Sequence, residues 1–541
     1  MPTAPSNWTF DANTRERVDD IFAAWATTDT PGMTLGIYRD GAPLYTAAYG
    51  MANLEHGIPL SPGSIFHVAS ISKQFTDLCI ALLAADGLLD IDDDIRQYIP
   101  QVPDFGPTIT IRHLIHHTSG LRDQWQLLNL SGWREQDLVT DDDVLYLVER
   151  QQALNFPPNT EYLYSNTGYT LLSLIVRRTS GASLREFAQE RIFRPLSMTS
   201  THFHDDHAEI VRGRTQAYEP VDGGGYRISI PVFDVAGTTS LFTTVEDLAK
   251  WESNYLTGTI GGPDLIAEMQ TPGTFADGSA MEYAWGLRVV EWRGRHRVGH
   301  SGADNGYRAD FLRLPELGFA VTVLSNVSNS APGLLTERVA EIVLGDLLRS
   351  EVAPSGAEWT TTPVTADNIA GLWTNAERGQ HLIISAREGG AWLEVGDKSL
   401  RLDEERPGLF TYPAFRLQIM AGQDPDMLRV VLDGNVTSFS RVEPWQLATT
   451  ELTALCGTYW SDELGVSYEV VPMEGAVGPS IAIRRRKFDD QVFRPLAVDT
   501  FVRDSLDFGI RLTFERSNDE TVSGFLMTAG RIRNLVFSRQ S

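Results

Sequence analysis

Hydrophobic spacing divides the chain near residue 350. Before that point, β-rich runs from Met33 to Tyr49 flank the turn dipeptide Asp40-Gly41, which predicts an antiparallel hairpin. Phe75, Leu78, Cys79, Leu82 and Leu83 recur at i, i+3, i+4, i+7 and i+8, one apolar helix face, and Gly87 supplies its stop. Tyr169 to Arg178 predicts a second apolar helix, ended by Gly181. Leu287 to Val298 reads as a strand, Phe311–Leu314 and Phe319–Leu324 as a hairpin around Pro315-Glu316-Leu317-Gly318, and Leu334 to Leu348 as a helix. Strands toward both ends with helices between them describe an α+β domain.

Residues 351–363 carry Pro, Ser, Gly and Thr without a period, as a linker does. Beyond them, short strands alternate with Gly- and Asp-rich turns, which suggests antiparallel barrels. The tail also repeats itself. Gly371-Leu372-Trp373 returns 86 residues later as Gly457-Thr458-Tyr459, with Glu377 matching Glu463 and Gly379 matching Gly465. Phe439-Ser440-Arg441 is echoed by Phe537-Ser538-Arg539. The expected organisation is a domain over 1–350, a linker over 351–363, and two copies of one small barrel over 364–446 and 450–541.

Composition narrows the function. The 541 residues allow two to four domains, and 45 basic against 71 acidic side chains give a net charge of −26. That balance excludes nucleic acid, whose phosphates need clustered cations, and disfavours anionic lipid. The one basic run, Arg484-Arg485-Arg486-Lys487, leads into Asp489-Asp490 and reads as a solvated strand face. Cys79 and Cys456 are the only cysteines, so no disulfide framework is expected and a reducing, cytoplasmic setting fits. Neither a leader-like start nor a run of about 18 apolar residues is seen, so no membrane association is expected.

Three short motifs can carry chemistry. Ser70-Ile71-Ser72-Lys73 opens the first apolar helix, which puts Ser70 and Lys73 on one face of a turn. Lys73 could then take the Ser70 proton, while the Ser70 backbone N–H at the helix start could bind an oxyanion. Tyr164-Ser165-Asn166 follows; a tyrosine beside a lysine charge can serve as a base, and Asn166 offers an amide to Lys73 and to a substrate carbonyl. Third comes Gly299-His300-Ser301-Gly302-Ala303, a small-residue strand that can lie flat beside a nucleophile. Its Ala303 N–H could complete an oxyanion hole, and His300 could share a proton with Tyr164.

Taken together and in this order, the three motifs resemble those of the serine β-lactamase and penicillin-binding-protein superfamily, in its class C branch. Phe66 to Ser70, Leu114 to Leu121, Tyr164 to Tyr169 and Leu241 to Trp251 support the resemblance, which covers about residues 15–350. It implies an antiparallel sheet flanked by helices and an acyl-enzyme mechanism needing no cofactor or metal. The chain departs from the superfamily pattern by carrying His300 where most members have Lys, which puts β-lactam binding in doubt. His-x-Gly followed by two small lipocalin-like barrels resembles the bacterial D-aminopeptidases, as does Ser119 to Trp125.

The expected site therefore contains Ser70, Lys73, Tyr164 and His300 as catalytic groups and the Ser70 and Ala303 N–H groups as the oxyanion hole. Asn166, Ser301, Gly302, Arg122, Asp123 and Trp125 are expected to contact substrate. The expected substrate is a small peptide, amide or ester, and a homodimer is left open. Met473 to Pro479 is a Gly-rich candidate for a loop limiting substrate size. His202, His204 and His207 with Asp205 and Asp206 read as a surface loop, not a metal site. Within the same chemistry the alternatives are a carboxylesterase or a peptide cyclase; outside it, an inactive binding homologue.

Overall fold

The structure is a computed structural model that describes residues 8–221, 223–349, 364–375, 380–387, 389–395, 398–412, 417–422, 424–432, 435–443, 445, 448–475, 478–503 and 509–540. It divides into two compact units. The first comprises the chain up to 121, with 135–149 and 156–349; the second takes 122–134, 150–155 and everything from 364 onward.

The first unit is built on six antiparallel strands: β1 (Met33–Arg39), β2 (Ala42–Tyr49), β3 (Arg288–Trp292), β4 (Arg295–Asp304), β5 (Tyr307–Leu314) and β6 (Phe319–Ser325), in the order β3-β4-β5-β6-β1-β2. The Asp40-Gly41 hairpin forms as its sequence predicts, both turn residues at positive φ. Alternation then sorts the side chains. Met33, Leu35 and Ile37 of β1 and Phe319, Val321 and Val323 of β6 enter one core, closed by Val18 of helix α1 (Ala12–Ile21) and by Leu335, Val339 and Val343 of the helix Pro332–Leu344. Tyr38 points to the other face, where its hydroxyl donates to the Val245 carbonyl at 2.6 Å.

Behind that face lie helices α2 (Lys73–Ala85) and α3 (Asn166–Ser180), the latter ended by left-handed Gly181 as predicted. Leu287 to Val298, read above as one strand, is a hairpin. Arg293 and Gly294 both take positive φ, and the chain reverses between β3 and β4. The turn escaped notice because Arg-Gly is not a common turn dipeptide.

The second unit holds two closed eight-stranded antiparallel barrels, one from Gly371–Asn375 to Asn435–Val442 and the other from Gly457–Ser461 to Ile532–Arg539. The repeat has a structural cause. In each barrel the arginine of the last strand reaches back across the first: Arg441 donates to the Ala370 carbonyl and stacks over Trp373, and Arg539 donates to the Cys456 carbonyl beside Tyr459. The aromatic is anchored equivalently, Trp373 Nε1 to the Ile369 carbonyl at 2.9 Å and Tyr459 Oη to that of Leu455 at 2.7 Å. The predicted linker 351–363, Glu377 and Gly379 of the repeat, and positions 476–477 of the candidate loop lie outside the described residues. Among the described residues no helix is long and apolar enough to cross a membrane.

Candidate active site

Ser70 sits in a tight 3-10 turn, Ala69–Ser72, that runs directly into α2. The turn is strained: Ala69 holds φ at +47°, a region that a residue with a Cβ rarely enters. Ser72 secures it, donating to the Ala69 carbonyl at 2.5 Å and accepting from the Leu241 N–H at 3.0 Å. His117 and Ser240 also carry positive φ, at +57° and +72°. These two residues neighbour the side chains described next, so backbone strain clusters where the motifs meet.

Lys73 is fully buried, and its Nζ lies 3.0 Å from Ser70 Oγ. The remaining directions are filled by Asn166 Oδ1 at 3.0 Å, the Thr238 carbonyl at 2.7 Å and Thr238 Oγ1 at 3.1 Å. Thr238 in turn donates its hydroxyl to Asn166 Oδ1 at 2.7 Å. A neutral amine here can donate its two hydrogens to the Thr238 carbonyl and to Asn166. Its lone pair is then left for the Ser70 proton. The Tyr164 ring lies under the same nitrogen, with its centroid 4.9 Å from Nζ. The His117 ring packs against that ring, centroid to centroid 4.2 Å.

Strand β4 supplies the third wall. Its pairing with β3 ends at Gly299, so the 300–304 stretch has no strand on that side among the described residues. Gly302 explains how it fits: a Cβ there would come 2.2 Å from the Val68 carbonyl oxygen, beside Ala69. Ser301 and Ala303, on the alternate face, are exposed.

His300 is half-buried and closely packed, and burial followed by the Lys73 charge pushes its pKa down to about 3. Its neutral ring has a defined tautomer. Nδ1–H donates to the Ser301 carbonyl at 2.6 Å, which leaves the Nε2 lone pair to accept from Tyr283 Oη at 3.1 Å. The His300 and Tyr164 rings lie 6.1 Å apart.

Ser70, Lys73, Tyr164, Asn166, His300, Ser301, Gly302 and Ala303 all belong to the first unit. Arg122, Asp123 and Trp125 belong to the second. The first two are each engaged by partners within that unit. Arg122 is 1% exposed, and its guanidinium is held by Glu463 at 2.8 Å and by the Ala153 and Arg533 carbonyls. Asp123, equally buried, caps the Trp125 N–H and faces Arg531. Trp125 itself is half-buried.

The histidine cluster is better organised than a surface loop. His202, His204 and Glu209 bring ligand atoms within 4.8 Å of one another, yet both Glu209 oxygens are already taken by Arg185. Sequence reasoning missed Thr238 and Tyr283. The run Gly237-Thr238-Thr239-Ser240 was a signal for the first; nothing marked Tyr283.

Comparison with known proteins agrees with this architecture. The Beta-lactamase family profile matches residues 10–345, and the chain belongs to that family. A D-aminopeptidase of Gluconobacter oxydans is 30% identical over 365 residues, which cover 67% of this chain and 66% of that protein. Another, from Brucella melitensis, is 25% identical over 452 residues, covering 83% and 82%. The chain thus spans about two thirds of the first relative and more of the second. Among solved structures, the octameric penicillin-binding protein homologue from Pyrococcus abyssi aligns with 79% of this chain and 99% of its own, with a TM-score of 0.56 and 21% identity. That likeness shows the fold.

Proposed function

We propose that the chain is a serine hydrolase that cleaves amide bonds of small peptides or amino-acid amides through an acyl-enzyme, with preference for a D-residue on the acyl side. The observation that carries the chemistry is the buried Lys73 amine 3.0 Å from Ser70 Oγ. D-Stereospecificity is supported by the D-aminopeptidase relatives.

Ser70 Oγ attacks the substrate carbonyl and gives its proton to the Lys73–Tyr164 pair. The Ser70 and Ala303 N–H groups hold the oxyanion. Tyr164 returns the proton to the leaving amine as the C–N bond breaks, with neutral His300 fixing the polarity beside it. Water, activated by the same pair, then attacks the ester and releases the acid and Ser70. Asn166 and Thr238 keep the Lys73 amine aimed at Oγ. A cytoplasmic location is supported by Cys79 and Cys456, both free thiols.

A panel of D- and L-amino-acid p-nitroanilides beside p-nitrophenyl esters tests the reading. Turnover of the D-anilides that disappears in Ser70→Ala is expected. Hydrolysis confined to the esters would move the assignment to a carboxylesterase.

A further inference from the structure

The geometry points to a subsite for a substrate's free α-ammonium group, with Asp304 as its anion. This deepens the serine-hydrolase reading and rests on it.

Asp304 closes β4, one residue beyond Ala303. With Tyr164 returning the proton, the leaving amine belongs beside His300, where β4 loses its pairing with β3. The acyl half must then extend the other way along the strand, past Ala303 toward Asp304. The lengths agree. A strand advances about 3.3 Å per residue. The α-nitrogen of an amino-acyl group is two bonds of about 1.5 Å from the carbonyl carbon.

The Asp304 carboxyl is held but not neutralised. Thr239 Oγ1 donates to Oδ2 at 2.9 Å, and His67 Nε2 stands 3.3 Å behind that hydroxyl. Oδ1 has no hydrogen-bond partner among the described residues, and no ion pair reaches the carboxylate. The nearest cations act from a distance. Lys73 is engaged by Ser70, Asn166 and Thr238, and Arg308 turns Nη1 onto the Asn305 and Tyr307 carbonyls, each at 2.7 Å. Burial raises the Asp304 pKa to about 6, against the pull of Thr239, Arg308 and Lys73. Such a carboxylate gains most from a cationic guest that brings its own N–H donors. Thr239 adjoins Thr238, so the segment that fixes Lys73 also fixes Asp304. The ligand class is a primary ammonium on the carbon next to the scissile carbonyl, the free terminus of a peptide or amino-acid amide.

The test compares D-alanine p-nitroanilide with its deamino analogue, propionyl p-nitroanilide, in the full-length wild type and in Asp304→Asn. The ratio of the two kcat/KM values should fall about 10–100-fold in the variant, mostly through KM of the amine. Asp304→Glu should restore part of it. Binding supplies an arm independent of turnover. On Ser70→Ala protein, calorimetry should show D-alaninamide binding more tightly than propanamide, and the added Asp304→Asn should erase that difference. A preference for the ammonium that survives Asp304→Asn, or is absent from the parent protein, overturns the inference. Undiminished turnover by Ser70→Ala would overturn the serine-hydrolase reading instead, so the two failures are distinguishable.

Discussion

Lys73 Nζ and Ser70 Oγ stand 3.0 Å apart at the mouth of one helix. The lysine amine is held by a carbonyl, an amide oxygen and two hydroxyls. That surrounding suits a group that exchanges a proton with the nucleophile, because the acceptors around the amine hold it aimed at Oγ. Replacing Lys73 with Met preserves the apolar stem and removes the amine. The kcat for a D-amino-acid p-nitroanilide should fall about 10²–10⁴-fold, with a smaller change in KM. Stopped-flow or steady-state assays at pH 8 read this directly.

Gly302 is required by contact with the turn that carries Ser70, not by backbone freedom. A Cβ would meet the Val68 carbonyl oxygen at 2.2 Å, and neither partner can yield without moving the strand or the turn. Gly302→Ala should cost about 10²-fold in kcat, the scale expected for a displacement near 1 Å. It should leave the melting of the second unit unchanged. Equal losses in activity and in the far barrel's stability would contradict a local clash.

The Arg122–Glu463 pair joins the 122–134 segment to the second barrel within one unit. Both charges are buried. Burial lowers the arginine pKa and raises that of the glutamate, and each partner's charge opposes the shift of the other. Removing one leaves the other stranded, at a cost of about 3–5 kcal/mol. Arg122→Met should therefore lower the denaturant midpoint of that unit, and Arg122→Met with Glu463→Leu should recover much of the loss. A surface pair would show neither effect.

Acid should destabilise the fold through its histidines. Burial pushes His67 and His300 down to about 3 and His116 and His202 to about 4, from an ordinary value of 6.5. The native state binds fewer protons at these sites than the unfolded chain does. Their stabilisation is present above pH 6.5 and lost as pH falls toward 4. Asp77, Asp141, Glu252, Asp304 and Glu463, all raised by burial, act oppositely, against six histidines lowered by it once His113 and His204 are included. The melting temperature should thus fall between pH 7 and pH 5; a flat or rising profile would contradict the assignment of neutral, buried imidazoles.

Much of this was legible in the chain. The i, i+3, i+4 spacing around Cys79 marked α2, and the offset of 86 residues marked two barrels, because periodic burial leaves a periodic sequence. The three short motifs were readable for a different reason: each is local. What stayed hidden is long-range. Thr238 reaches Lys73 across 165 positions, and Tyr283 serves His300 through a single hydroxyl that no spacing announces. Nor could local spacing show the Arg122 ion pair, because its partner lies 341 residues away.

The central claim is that Ser70 becomes acylated. Wild-type protein should be mixed with a slowly released D-amino-acid ester, quenched in acid, and mapped by peptide mass spectrometry. The account predicts a stoichiometric acyl adduct on the peptide containing Ser70, absent from Ser70→Ala. Turnover of the same substrate with no adduct, or undiminished turnover by Ser70→Ala, would contradict it.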